Sequence, residues 1–101
     1  MRPTRTDQQP NVQIELADGI PATAENYARA KIPGLVKYSR LPILFIKVRL
    51  MPAGHGHNVD VVAHANMDVN GTPLISHSVG KTATEAVDLL QDKLRGQLSR
   101  M

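Results

Sequence analysis

The sequence predicts an α+β domain with the element order β-α-β-β-β-α: a four-stranded mixed sheet with two helices packed on one face. Three observations predict it. Apolar and polar residues alternate over 12–16, 43–51 and 59–69, the signature of half-buried strands. An Asn70-Gly71 pair follows the last of these, and it is a strong hairpin signal because a type I′ turn needs positive φ at both central residues. Two further segments, 21–39 and 82–99, carry apolar residues at helical spacing. A chain of 101 residues has room for one core.

Taken in order, residues 1–10 (MRPTRTDQQP) are polar, hold two prolines and show no periodicity, so they read as a disordered tail before a domain over 11–101. Val12, Ile14 and Leu16 face one side of the first strand, which Asp18-Gly19 closes. In the first helical segment Ala24, Ala28, Ile32 and Leu35 form the apolar stripe. Pro33-Gly34 interrupts it, because proline removes a helical hydrogen bond and glycine adds backbone freedom; a kink or a break into two pieces is expected. In the second strand Leu44, Ile46, Val48 and Leu50 are expected inward, with Phe45, Lys47 and Arg49 outward. The third strand places Val59, Val61, Ala63, Ala65, Met67 and Val69 inward. The fourth, about 72–79, contains Pro73, which cannot donate to a ladder and so predicts an edge. The closing helix buries Ala83, Ala86, Val87, Leu90, Leu94 and Leu98, with Thr82 or Thr84 as its cap.

Composition narrows the function classes. There is no cysteine, which excludes disulfides, thiol nucleophiles and cysteine zinc sites. One Phe, two Tyr and no Trp leave little means of stacking successive bases on aromatic platforms. No signal peptide and no apolar run of membrane-spanning length is present, so the cytoplasm is the expected compartment. No Gly-rich phosphate loop, nucleophile elbow or close carboxylate pair stands out, and no enzyme or cofactor is expected. His55-Gly56-His57 offers two metal ligands, but a third would have to come from His64 or Asp60. A Gly-rich hairpin loop is the ordinary explanation, and no metal is expected.

The net charge is +3, so placement of cations matters more than their number. RNA binding needs cations spaced along phosphates. On the closing helix Lys93 and Arg100 are seven apart and share a flank, whereas Arg95 lies on the other side near Asp88 and Asp92. On the first helix, if it is straight, Lys31 and Tyr38 share one flank and Arg29 takes the other. Lys37 and Arg40 lie near its end, where a cation suits the helix dipole, and Lys81 precedes the closing helix. The alternative for each is a solvated helix face. Lys47 and Arg49, on the wet sheet face, read as solubility or edge protection.

With these elements placed, the sequence resembles the ribosome hibernation-promoting factor family, also known as ribosome-associated inhibitors, over about 12–100. Three segments carry the resemblance: Tyr27, Lys31-Ile32, Leu35, Lys37 and Tyr38 in the first helix; VDVVAHANMDVNGTPL through the hairpin; and AVDLLQDKLRGQLSR at the close. Pro33-Gly34 stands where the family usually runs a continuous helix, and Gly96 and Ser99 where its closing helix is usually more basic. The resemblance implies a domain that contacts small-subunit ribosomal RNA in the decoding channel, blocks messenger and transfer RNA, and stores ribosomes in inactive form. It puts Lys31, Lys37 and Lys93 first among the RNA-binding candidates, ahead of Arg29, Arg40, Lys81, Arg95 and Arg100. Some members carry a further C-terminal dimerisation domain, and by that resemblance the chain is also compatible with being the N-terminal domain of a longer protein. The competing reading is a protein-interaction or homodimerisation module of the same fold with weak or no RNA binding.

Overall fold

The alternating segments assemble into one sheet in the order β1-β2-β3-β4. The computed structural model describes residues 10–54 and 59–101. Most of the tail expected over 1–10, and the His55–His57 loop, lie outside the described residues. Strand β1 (Asn11–Leu16) runs parallel to β2 (Ile43–Ala53), as the intervening helix permits. Strands β3 (Asp60–Val69) and β4 (Thr72–Gly80) continue it as antiparallel hairpins. Asn70 and Gly71 have φ of 53° and 92°, the geometry expected of their two-residue turn, and the Asp68 side chain accepts the Gly71 N–H at 2.7 Å.

Both helical segments cover the same sheet face. Helix α1 (Thr23–Lys31) packs near β1, and α2 (Ala83–Ser99) lies over β3 and β4. The expected break occurs: α1 gives way to a 3₁₀ helix over Ile32–Tyr38, with Pro33 in its first turn. At the junction the Gln91 side chain of α2 donates to the Lys31 carbonyl at 3.0 Å. The whole predicted stripe, Ala24, Ala28, Ile32 and Leu35, stays buried across the break, because the tighter winding keeps Ile32 and Leu35 toward the sheet. They meet Ile46, Val48, Leu50, Met67, Leu90 and Leu94 in one core.

Two expected inward positions are corrected. The β2–β3 register shifts between Ile43, opposite Val69, and Phe45, opposite Asp68. This bulge leaves Leu44 without an opposite number and turns it outward, 54% exposed, while Ile43 takes the inward position. Val59 lies one residue before β3 and is exposed, outside the reach of the ladder.

The start of α2 is set against the end of β4. Thr82 caps the helix by accepting the Glu85 N–H at 3.1 Å, while the Glu85 carboxylate accepts the Lys81 N–H. Buried Ser78 donates to the Ala86 carbonyl at 2.6 Å. Gly80 is required here by space: a Cβ on it would lie 2.5 Å from the Ala86 backbone nitrogen. Gly80→Ala should therefore lower stability by about 1–3 kcal/mol, the range for forced overpacking, read as a lower urea midpoint with an unchanged m-value.

Candidate nucleic-acid interface

Where the 3₁₀ helix ends against α2, the fold brings cations from two elements onto one aromatic ring. The Lys37 ammonium lies 5.8 Å and the Arg95 guanidinium 5.4 Å from the centroid of the exposed Tyr38 ring, within cation–π range. Arg95 also pairs with Asp92 at 3.6 Å; both are about half exposed or more, so the pair contributes little and can be exchanged for a phosphate. Lys37 belongs to no ion pair among the described residues, and neither does Arg40, two residues beyond Tyr38. Arg100, the C-cap of α2, shares with Lys93 a groove beside β4, as their seven-residue spacing implies.

The remaining predicted cations have partners of their own, in exposed or half-exposed surface contacts. Lys31 pairs with Asp88 at 3.5 Å and lies 5.7 Å from the Tyr27 ring, whose hydroxyl donates to the same Asp88 carboxylate at 2.6 Å. The flank expected to join Lys31 and Tyr38 is thus split: the change from α to 3₁₀ winding at Ile32 sends them to different partners on α2. Arg29 pairs with Glu25 at 2.9 Å and reaches the Val12 carbonyl of β1 at 3.4 Å. Lys81 pairs with Asp60 at 3.7 Å. On the open sheet face Glu15 lies between Lys47, at 3.6 Å, and Arg49, at 3.8 Å, which keeps both cations in a local ion cluster.

Lys93 has a different engagement. After a two-residue hairpin turn, the backbone groups of Pro73, Ile75, His77 and Val79 point away from β3 toward the free edge. Pro73 loses no ladder bond in such a position, which is why the edge strand tolerates it. Lys93 Nζ donates to the His77 carbonyl at 2.8 Å, and Gln97, one turn on, donates to the Ile75 carbonyl at 3.4 Å. Two side chains of α2 therefore occupy two of the acceptors that a second strand would need.

Sequence reasoning missed Tyr38 as the ring that gathers Lys37 and Arg95, and Asp88 as the shared partner of Tyr27 and Lys31. The signal for the second was the placement of Asp88 on α2 opposite the first helix, which only the helix–helix contact resolves. Among the described residues no group of three or more His, Asp or Glu could hold a metal ion. No helix of the described residues is long and apolar enough to cross a membrane.

No family model matches this chain, and no curated protein does. Solved structures do match. The crystal structure of the Thermus thermophilus protein Y N-terminal domain aligns with a TM-score of 0.72 at 21% identity, covering 89% of this chain and 97% of that one. The chain has the protein Y fold. A ribosomal subunit interface protein from Coxiella burnetii aligns with a TM-score of 0.69 at 19% identity, covering 89% of this chain and 94% of that one. The α+β class and element order read from the sequence are those of the protein Y fold, and the resemblance read from the sequence leads to the same proteins.

The hydrogen bond to Asp88 raises the Tyr27 hydroxyl above the ordinary tyrosine value, with desolvation and the Asp88 charge acting in the same direction. Because the folded state holds this proton more tightly, the link between α1 and α2 is intact below pH about 10 and is lost as pH rises through the raised value. Absorbance titration should show a phenolate step above pH about 10 that disappears in Tyr27→Phe. Replacing Lys93 and Gln97 together by Ala should free the β4 edge and produce concentration-dependent self-association in light scattering, with the circular dichroism spectrum unchanged; a strictly monomeric variant would count against edge protection.

Proposed function

We propose that this domain binds the small ribosomal subunit through ribosomal RNA in the decoding channel and so acts as a translation inhibitor of the hibernation type. The observation that carries the proposal is the cation cluster of Lys37 and Arg95 around Tyr38, flanked by Arg40. It projects from the end of the 3₁₀ helix and from α2, and its cations are free or in weak surface pairs, an arrangement suited to backbone-directed RNA recognition. The fold supports the same reading, since structures described as protein Y and as a ribosomal subunit interface protein share it. Arg100 and Lys93 extend the cationic surface along α2, with Lys93 giving up a backbone carbonyl to engage a phosphate. Arg29, Lys31 and Lys81 also pair with carboxylates at the surface and, unlike Arg95, do not meet the Tyr38 ring, so they take a secondary part.

The second reading, a protein-interaction or dimerisation module with weak or no RNA binding, draws on those same surface pairs, which reduce the free positive charge. Co-sedimentation with purified small subunits separates the two. The domain should bind at low salt and be released as salt rises. Lys37→Glu with Arg95→Glu should weaken binding at least about tenfold and flatten the dependence of log K on log salt by one to two, since each neutralised phosphate contributes a slope of roughly 0.7–0.9. No association at low salt, together with a stable dimer in solution, would favour the second reading.

A further inference from the structure

The β2 bulge shapes the surface next to the cation cluster. It leaves Leu44 54% exposed beside Leu41, 39% exposed, just past Tyr38, itself 41% exposed. Leu41 and Leu44, with Val36 and Ile43 behind them and Arg40 beside them, bound a cavity of about 290 Å³. Its walls are pre-formed. Ser39 Oγ accepts the Leu41 N–H at 3.2 Å and donates to the Leu41 carbonyl at 2.6 Å, and the Asn70 N–H at the hairpin tip holds the Pro42 carbonyl at 2.8 Å. No carboxylate lines the cavity, and Arg40 belongs to no ion pair among the described residues.

We infer that this cavity receives an unstacked nucleobase of the RNA whose phosphates lie on Lys37, Arg40 and Arg95; the inference rests on the RNA-binding reading above. The cavity adjoins the cation cluster through the continuous segment 36–44, so a phosphate on the cluster brings the neighbouring base to walls that mix leucine side chains with the polar groups of Ser39 and Arg40. Leu41 and Leu44 cover a face of the base, the polar groups beside them meet its edge, and Arg40 supplies both a phosphate partner and a planar group for stacking. Exposed leucines next to unpaired cations suit a ligand that is anionic along its backbone and flat and apolar at its side groups, which describes single-stranded RNA. An acidic amphipathic helix has the right charge, but it needs a row of apolar sites spaced over two or three turns, whereas this cavity admits one group.

The test uses amide spectra of the full chain, titrated separately with AMP and with ribose 5-phosphate. AMP should shift the resonances of residues 39–44 and bind at least about fivefold more tightly than ribose 5-phosphate, a preference that Leu44→Ser abolishes without lowering the melting temperature. Equal effects of the two compounds would reduce the site to an anion contact at Arg40 and overturn the inference, as would shifts caused by an acidic helical peptide with AMP silent. On small subunits, Leu44→Ser should weaken binding about tenfold with an unchanged salt slope, whereas Lys37→Glu flattens the slope. Subunit binding that is unaffected by Leu44→Ser would overturn the base pocket and leave the RNA-binding reading standing. Base-dependent AMP binding in a chain that ignores subunits would do the reverse.

Discussion

The approach of α2 to the end of β4 governs most of what lies on the helical face. Gly80 has no Cβ, so the backbone of Ala86 can sit against it, and Ser78 pins the same residue through its carbonyl. With the first turn so placed, the apolar row Val87, Leu90, Leu94 and Leu98 follows over the sheet. The polar flanks then have no freedom of address. Asp88 and Gln91 fall against the first helix, Lys93 and Gln97 over the β4 edge, and Arg95 over Tyr38. One close backbone contact thus orients five polar side chains, and a rotation of α2 by a single residue would separate all of them from their partners.

The same constraint sorts the basic residues into two classes that composition alone treats alike. Lys31 meets a carboxylate across the helix pair, Arg29 meets one a turn away and a strand carbonyl beyond it, and Lys93 meets an edge carbonyl. These cations close the structure on itself. Lys37, Arg40 and Arg100 meet no acid among the described residues, and Arg95 meets Asp92 in a half-exposed pair of the same small strength as those of Arg29 and Lys31. A mildly basic chain can therefore gather Lys37 and Arg95 on one ring, with Asp92 paired to Arg95 at its side.

The break at Pro33-Gly34 shapes that region. Continued α-helical winding would carry Tyr38 onto the flank of Lys31; the 3₁₀ turn instead brings it under Arg95 and directs the chain through Ser39 into the loop that precedes β2. The β2 bulge acts at the other side of this loop by turning Leu44 out beside Leu41. Two local irregularities, one in a helix and one in a strand, thus make the cation cluster and the leucine-edged cavity neighbours. Departures from regular geometry of this kind concentrate at functional sites, where they re-aim side chains that the regular element would point elsewhere.

Much of this fold was legible in the sequence because its signals are local. Period-two alternation defined the strands, Asn70-Gly71 the hairpin, Pro73 an edge, and Pro33-Gly34 the break, since each depends on a residue's own backbone and its immediate neighbours. Leu44 was not legible: alternation counts residues along one strand, whereas a bulge arises from the register between two. The individual candidate cations were visible, including Lys37, Arg40 and Arg95, but their division into engaged and available was not. That division depends on contacts such as Tyr27 with Asp88 and Gln91 with Lys31, across about sixty positions of chain. The sequence by itself determined the elements, their order and which faces are apolar. Only the tertiary structure decided which charges cancel and which remain, because screening and pairing act over a few ångströms in space and are blind to distance along the chain.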